Sequence, residues 1–427
     1  MKRVGIVLTL VFVLCGVSTA QEVTQKKDLA VFALSYYDWN VPPEALGMVD
    51  ERIKNVFVNL GRFNVIGMNY RLASSDVNEF IDRIRRYKEE NVEIPESVQL
   101  GQEAFTEADF NRLVGSFLVV VPTLTYFDIG RDGRDYFAEL ETAFTVISVE
   151  ESRTIAHFTV RTTGQDDMSS RAVREAVDLI PLQLEYEVRK VPEFQLKTGI
   201  VDVMRGEVLI EFGENMGVKP GDEYSIVEQV ELRSGHQVMD STGLLVVKDV
   251  SQEVSVAKII YSRGTPRVGD QLNEVPRIGA DSTVYAHVLL PPDNLSLADV
   301  TVGIRQGFNR GFYNARPIVG LEVPVTKIGW AFFGFPMNAY FGVEGNIWFG
   351  RFQIAPSAAG GIGMILPFWD RDQFLLSHLG FLAQLGINYL VGDSIRIFVE
   401  AGYSYWFGLW GNSYGGILAG GGIQFRY

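Results

Sequence analysis

The sequence predicts a multidomain chain with an α/β domain, a small β-barrel and a C-terminal eight-stranded transmembrane antiparallel β-barrel. Residues 281–427 carry only 17 of the 90 charged residues, yet they hold 27 of the 51 aromatic residues and 23 of the 43 glycines. The same residues alternate in polarity, whereas the earlier residues mix the apolar patterns of helices and strands. The two parts are therefore expected to meet different solvents.

Composition and charge exclude several classes of protein. With 47% hydrophobic and 21% charged residues, the chain is too apolar to be disordered. Its formal net charge of -14 argues against a nucleic-acid partner, which requires a basic surface. The length of 427 residues favours two or three domains, at roughly 150 residues per domain.

The N-terminus has the pattern of a secretory signal peptide over residues 1–20. A basic start precedes an apolar run at 4–17, and small residues end at Ala20. Because the run is shorter than the roughly 20 residues of a spanning helix, cleavage is favoured over a retained anchor. A lipid anchor on Cys15 is disfavoured, since Leu14 stands where a lipoprotein carries a small residue. Cleavage after Ala20 would remove the only cysteine, and with it any disulfide or thiol nucleophile.

Residues 21–192 are predicted to form an α/β domain. Helices are indicated after Pro43 by apolar spacing and after Thr106 by a capping residue. A segment rich in Gly and Asp, 128–135, is predicted to be a turn. The predicted strands lie at 29–34, 63–66, 118–121, 136–149 and 154–162.

This order of elements, together with the motif Asn-Leu-Gly-Arg-Phe-Asn-Val-Ile at 59–66, carries a resemblance. It resembles the nucleotide-free α/β domain of the curli-secretion channel family and the middle domain of the flagellar H-ring protein. The resemblance covers about 160 residues, by pattern more than by identity. It implies a periplasmic domain that assembles into a ring or binds another envelope protein. In the curli channel a lipidated cysteine anchors the domain, which the residue before Cys15 does not favour here.

Residues 193–278 are predicted to form a small antiparallel barrel, because short alternating strands are separated by Gly/Pro turns. The turn Gly-Val-Lys-Pro-Gly-Asp at 217–222 and the later Val-Gly-Asp at 268–270 resemble the SH3-like domain of the same H-ring family. That resemblance implies an SH3-like β domain. For each residue taken alone, ordinary turn chemistry is the simpler interpretation.

Residues 279–427 are predicted to form an outer-membrane β-barrel. They contain no uninterrupted apolar stretch of the length that a spanning helix requires, and a closed barrel is the alternative. An even strand number is expected of such barrels. The eight candidate strands are 282–290, 299–308, 315–326, 335–349, 351–366, 376–390, 394–407 and 414–427.

Alternation within these segments separates a lipid-facing apolar set from an interior polar set. An eight-stranded barrel is about wide enough to be filled by side chains, so its interior charges must be paired. The interior set is interpreted as a structural polar core, and this interpretation is favoured over a conducting path. Its members are Arg305, Glu322, Glu344, Arg396, Glu400 and Arg426. Aromatic residues near strand ends are predicted to form the interfacial girdles: Trp348, Trp369, Trp406, Trp410, Tyr389 and Tyr403.

The topology follows from the even strand number. The beginning of the first barrel strand and the end of the last are expected on the periplasmic side, together with the preceding domains. External loops are expected near 291–298, 327–334, 367–375 and 408–413. The third loop, with charge and aromatics, either touches an external partner or is a solvated loop tip. The terminal Tyr427 resembles the aromatic residue that outer-membrane barrels present to their assembly machinery.

No catalytic, cofactor-binding or metal-binding residue is predicted. The four histidines lack zinc spacing, and no phosphate loop of the Gly-x-x-x-x-Gly-Lys kind occurs. The favoured hypothesis is a non-enzymatic bacterial outer-membrane protein without a cofactor, whose periplasmic domains scaffold or assemble with flagellar, secretion or other envelope components. The expected partners are outer-membrane lipid, the assembly machinery, and an envelope protein or a second copy of the chain. A transport or secretion channel and a surface adhesin or antigen acting through the external loops are the alternatives.

Overall fold

The computed structural model describes residues 25–37, 41–90, 94–101, 103–291, 298–328, 334–367, 375–409, 411 and 413–427. The predicted signal peptide, Trp369, Trp410 and most of the loop at 367–375 lie outside the described residues.

The N-terminal α/β region begins at Lys27. Its strands are β1 (Lys27–Ala33), β2 (Ser35–Tyr36), β3 (Phe63–Arg71), β4 (Ser97–Leu100), β5 (Glu103–Thr106), β6 (Leu118–Asp132), β7 (Asp135–Ser148) and β8 (Arg153–Asp166). Its helices are α1 (Pro43–Asn59), α2 (Val77–Glu90), α3 (Glu107–Gly115), α4 (Ser169–Asp178) and α5 (Ile180–Lys190). The main sheet has the order β3-β1-β6-β7-β8, with β2 beside β6, and β4 pairs with β5 separately.

Helices cover both faces of this sheet, so its inner strands β1 and β6 are apolar on both sides. In β1, Leu29 and Val31 pack into the core on one face, and Ala30 and Phe32 into the core on the other. All four are fully buried, as the continuous apolar run predicts. None of the helices in the described residues is both long and apolar enough to cross a membrane.

The predicted turn at 128–135 is wrong in extent. Strands β6 and β7 pair in register as far as Asp132 and Asp135, and the turn itself occupies only residues 133–134. Gly133 supplies the positive φ of +61° that this tight connection needs. The Gly- and Asp-rich composition thus marks the tip of a long hairpin and not a longer loop.

The middle region is a closed six-stranded antiparallel barrel, called the small barrel below. Its strand order is β10-β13-β12-β11-β14-β9, with β9 and β10 closing the ring. Apolar residues from every strand fill it, among them Tyr224, Leu245 and Leu272. The strands are β9 (Lys197–Met204), β10 (Glu207–Ile210), β11 (Glu223–Glu231), β12 (Gln237–Val250), β13 (Ser255–Ser262) and β14 (Gln271–Val275).

The predicted closed barrel of eight antiparallel strands at the C-terminus is confirmed. The strands are β15 (Ala280–Leu290), β16 (Asp299–Phe308), β17 (Ala315–Pro324), β18 (Gly334–Gly345), β19 (Ile347–Phe349), β20 (Phe352–Pro367), β21 (Leu375–Leu390), β22 (Ile395–Gly408) and β23 (Tyr414–Arg426). Neighbouring strands pair in sequence order, and β15 pairs with β23 to close the barrel. The predicted strand 335–349 is interrupted at Asn346, so the short β19 continues β18 along the same partner, β20.

Polarity in this C-terminal barrel is inverted relative to a water-soluble barrel. On β22, Ile395, Ile397 and Val399 are 42%, 48% and 63% exposed, whereas the intervening Arg396 and Glu400 are 3% and 6% exposed. The same alternation runs through β21 and β23. Apolar side chains therefore form the outer surface, and charged side chains point into the barrel.

The prediction that Trp406 and Trp348 belong to the aromatic girdles is wrong. Trp406 points inward and is fully buried, because Gly380 leaves the room that its indole occupies. Trp348 also turns away from the outer surface and toward the buried Arg396, whose guanidinium lies 4.6 Å from the Trp348 ring centroid. Tyr389 and Tyr403 face outward, at 37% and 36% exposure.

Candidate functional site

All six residues predicted for the barrel interior are buried, with at most 6% of any of them exposed: Arg305, Glu322, Glu344, Arg396, Glu400 and Arg426. Five of them, all except Arg426, have their side-chain partners within the C-terminal barrel. The end of the barrel at which β15 begins is called the entry end below, and the opposite end is the far end.

Charged side chains form a continuous series along the entry half of the interior. Nη2 of Arg305 lies 3.3 Å from Glu400 Oε2 and 3.7 Å from Glu344 Oε2. Glu344 Oε1 accepts from Nη2 of Arg316 at 2.5 Å, and Nη1 of Arg316 donates to Asp281 Oδ2 at 2.7 Å. Each carboxylate in the series therefore contacts at least one guanidinium group, which the cost of burying an unpaired charge requires.

The sequence analysis missed two members of this series, Arg316 and Asp281. Arg316 shares the inward face of β17 with Glu322, six residues later, so strict alternation could have found it. Asp281 pairs with Arg426 in the strand register and lies one residue before the predicted strand. With these two, three buried arginines and three buried carboxylates form the series: Arg305, Arg316 and Arg396 with Asp281, Glu344 and Glu400.

Toward the far end, neutral donors replace the arginines. The hydroxyl of Tyr285 lies 2.8 Å from that of Tyr340 and donates to Glu322 Oε2 at 3.3 Å. Asn338 Nδ2 donates to Glu322 Oε1 at 3.1 Å and contacts the Tyr414 hydroxyl at 2.7 Å. Glu322 is therefore held by hydrogen bonds from neutral side chains.

Arg426 belongs to a contact with the small barrel and not to the interior series. Its guanidinium forms an ion pair with Glu223, at the start of β11, and donates to the Asp393 carbonyl at 2.9 Å. Arg277, in the connection between the two barrels, also donates to Glu223 from Nε at 3.2 Å. The residue that alternation assigns to the interior is thus buried by another domain.

The small barrel contacts every described turn at the entry end. Its Gly221 lies against Asn309 in the first turn, and Tyr261 stacks on Arg351 of the second, with 3.7 Å from guanidinium to ring centroid. The Tyr261 hydroxyl also pairs with Asp393 in the third turn. Apolar residues complete this contact: Leu244, Val246, Ile260 and Leu390. The small barrel therefore covers the entry end.

A second buried charge network joins the small barrel to the α/β region. Arg62 donates to both oxygens of Glu274, at 2.6 and 2.8 Å, and Nε of Arg189 donates to Glu274 Oε1 at 2.6 Å. Nη2 of Arg189 reaches Asp222 Oδ1 at 3.2 Å, and Nε of Arg310 reaches the same oxygen at 2.9 Å. Burial alone would raise the pKa of Glu274, but the charges of Arg62 and Arg189 outweigh it and lower this pKa to about 2.

The turn at 217–222 is the junction of all three domains. Gly217 has a φ of +73°, and a Cβ there would lie 2.1 Å from the carbonyl oxygen of Leu60 in the α/β region. Gly221 has a φ of +86°, and a Cβ there would lie 2.2 Å from the carbonyl oxygen of Asn309 in the C-terminal barrel. Turn chemistry explains the positive φ of both glycines, while the close approach of two other domains is a second requirement that the sequence does not reveal.

The arrangement holds charges and domains together. Within the described ranges, no group of three or more His, Cys, Asp or Glu side chains is placed to hold a metal ion. His287, whose Nε2 lies 2.6 Å from Glu400 Oε1, is enclosed in the barrel interior at 1% exposure. The geometry supports a filled barrel joined to two further domains by buried contacts.

Comparison with known proteins gives structural likenesses of low identity. No family model matches the chain, and no curated protein matches it. The hypothetical protein CT253 from Chlamydia trachomatis is 10% identical, with coverage of 38% of this chain and 96% of that one and a TM-score of 0.25. A de novo designed transmembrane β-barrel is 16% identical, with coverage of 35% and 96% and a TM-score of 0.22. OmpT, an outer membrane protein of Vibrio cholerae, is 9% identical, with coverage of 73% and 95% and a TM-score of 0.16.

Proposed function

We propose that this chain is a non-enzymatic bacterial outer-membrane protein whose barrel holds two periplasmic domains as a rigid platform. The platform scaffolds, or assembles with, other components of the cell envelope. The inverted polarity of the C-terminal barrel is the observation that carries the membrane assignment. A barrel in water would bury its apolar side chains and expose its charges, whereas this one exposes side chains such as Val399 and buries Arg305 and Glu400.

The orientation follows from the connections. The α/β region and the small barrel precede β15, and the chain ends at Tyr427, whose carbonyl accepts from the Ile278 amide at 2.8 Å. Both domains and the C-terminus therefore share the entry end, which we assign to the periplasm.

Rigid docking favours a scaffold over a channel. The small barrel covers the entry end, and the buried Glu274 pairs with arginines that belong to the α/β region. The barrel interior is filled by bulky side chains, including Trp406, Tyr340 and Phe398. A transport path would need both the filling and the cover to move, whereas a platform needs neither to move.

A pair of matched substitutions tests the membrane assignment. Val399 on β22 and Val268 in the small barrel are both 63% exposed. Val399→Lys is expected to destabilise the barrel by roughly 2–4 kcal/mol near the bilayer centre, since it places a charge in lipid. Val268→Lys should have little effect, since it faces water. Both effects on stability are measured by refolding the protein into vesicles and titrating it with urea. The folded barrel is followed as a heat-modifiable band, which changes its mobility in gel electrophoresis when the sample is heated. Equal effects of the two substitutions would contradict a lipid-facing surface.

Crosslinking in cells tests the scaffold. A photoreactive residue would replace Val58 on α1 or Leu232 at the tip of the β11–β12 hairpin, which are 56% and 46% exposed. Capture of one defined envelope protein, or of a second copy of the chain, is expected from one of these positions. Val399, which faces lipid in our assignment, is the control. A chain that stays monomeric and captures nothing from either position would overturn the platform proposal.

A further inference from the structure

A cavity of about 360 Å³ lies where the three domains meet, beside the entry end of the C-terminal barrel. It is called the rim cavity below. Helix α5 forms one wall through Leu182 and Tyr186, and the outside of the barrel forms the opposite wall through Phe308 and Pro317. The volume falls in the range of roughly 300–1,000 Å³ that is typical of small-molecule sites.

The barrel wall of the rim cavity continues the lipid-facing surface. Phe308, 42% exposed, alternates in β16 with the inward Gly307 and Arg305 and shares its outward face with Ile304, which is 56% exposed. Pro317 likewise lies on the outward face of β17, next to Val319. Leu182 faces these residues across the cavity and is 53% exposed. The cavity is therefore apolar on the side that meets the outer surface of the barrel.

The remaining lining is cationic. Arg189, Lys219, Arg277 and Arg310 line the cavity, against the single carboxylate Glu185. Arg189, Arg277 and Arg310 are engaged with carboxylates behind the cavity wall, as described above, and Arg310 also forms an ion pair with Glu185 in the lining. Lys219 differs from them, since its ion pair with Glu185 is long, at 3.9 Å from Nζ to Oε1, and 46% of its side chain is exposed.

We infer that the rim cavity binds one phospholipid of the periplasmic leaflet. Its phosphate lies beside Lys219, and its acyl chain runs between Leu182 and Phe308 onto the outer barrel surface. The pairing of a cationic end with an apolar end that opens toward lipid favours this occupant, because a phospholipid has the same two ends in the same order. A bound lipid would also fill the gap between α5 and the barrel. The inference rests on the proposed membrane location.

Native mass spectrometry of the full chain, released from micelles doped with phosphatidylglycerol, tests this inference. One retained phosphatidylglycerol is expected in the unaltered chain. Lys219→Gln is expected to weaken its retention about tenfold, because a charge-assisted contact is lost. Leu182→Asp should also weaken retention of the lipid, because it places a charge in the apolar lining where the acyl chain lies. Lys258→Gln, on β13 of the small barrel, removes a lysine that does not line the cavity and serves as the control.

The outcomes separate this inference from the proposed function. Chains without a heat-modifiable band would show that the barrel does not fold as proposed, and the lipid result would then fail with it. Heat-modifiable chains that retain no lipid, or retain it equally in all variants, would overturn the rim cavity inference alone. Displacement of the lipid by inorganic phosphate alone would also overturn it, since the apolar wall would then contribute nothing.

Discussion

Nε of Arg189 on helix α5 donates to Oε1 of Glu274 on strand β14 at 2.6 Å, and this bond joins two domains. The two side chains are 1% and 0% exposed, so the pair lies in the interior of the domain contact. Arg62, which follows the end of α1, pairs with the same carboxylate. An ion pair buried this deeply adds little net energy, but removing one partner is costly, because the other charge stays buried and uncompensated.

Glu274→Gln should loosen the contact between α5 and the small barrel. The substitution leaves Arg62 buried without a counter-charge and Arg189 with Asp222 alone, a loss of about 3–5 kcal/mol. Hydrogen exchange in α5 and β14 of the full chain should accelerate, while exchange in the C-terminal barrel should not. Glu231→Gln, at an exposed position at the end of β11, is the control. Unchanged exchange in α5 would contradict the role of this network.

The same carboxylate predicts an acid-sensitive contact. The pKa of Glu274 is lowered from 4.5 to about 2 in the folded chain, so its contribution to stability is complete above about pH 4.5. It should be lost progressively as the pH falls from there toward 2, because protonation removes the charge that both arginines require. This loss is measured as the urea concentration at which the amides of α5 and β14 lose their protection from hydrogen exchange, at several pH values. Glu274→Gln should lack that part of the pH dependence.

Gly221→Ala should detach the small barrel from the entry end. The added Cβ would lie 2.2 Å from the Asn309 carbonyl oxygen, in addition to the strain of a positive φ. Gly235→Ala is a matched control, since Gly235 has a φ of +80° but nothing within 4 Å of a Cβ. It should suffer only the backbone strain, about 1–2 kcal/mol. Trypsin cleavage after Arg277, whose side chain is 15% exposed, should become faster only for Gly221→Ala.

Trp406→Ala should destabilise the C-terminal barrel by about 3–5 kcal/mol, because it leaves a cavity in a packed interior. Phe407→Ala, at the next position of β22, removes an outward ring that is 52% exposed and should cost much less in detergent. Urea unfolding of the heat-modifiable band compares the two. Similar losses for both would argue that Trp406 does not occupy the interior.

The unaltered chain should show no sustained conductance in planar bilayers. Trp406, Tyr340 and Phe398 fill the barrel, and the small barrel covers its entry end. Discrete, long-lived openings would favour the channel alternative over the platform. Trp406→Ala alone should not open a path, because the charge series from Asp281 to Glu400 still crosses the interior.

Strand alternation was sufficient to assign most of the barrel interior. Residues such as Glu344 and Glu400 face inward because successive side chains of a strand point to opposite faces, a property of the local backbone. The same rule would have placed Arg316 and Trp406 inside. Trp406 was assigned to a girdle from its residue type and its position near a strand end, which do not specify a face. Its inward position also depends on Gly380 of the neighbouring strand, which no local pattern of β22 contains.

The sequence by itself determined the eight antiparallel strands of the C-terminal barrel, the division of charge along the chain and the small barrel with its Gly/Pro turns. These features follow from periodicity and turn chemistry, which act over a few neighbouring residues. Only the tertiary structure decided that Arg426 pairs with Glu223, that Glu274 holds Arg62 and Arg189, and that Gly217 and Gly221 admit two other domains. Such contacts join residues up to about 200 positions apart, and charge and size complementarity between domains selects them.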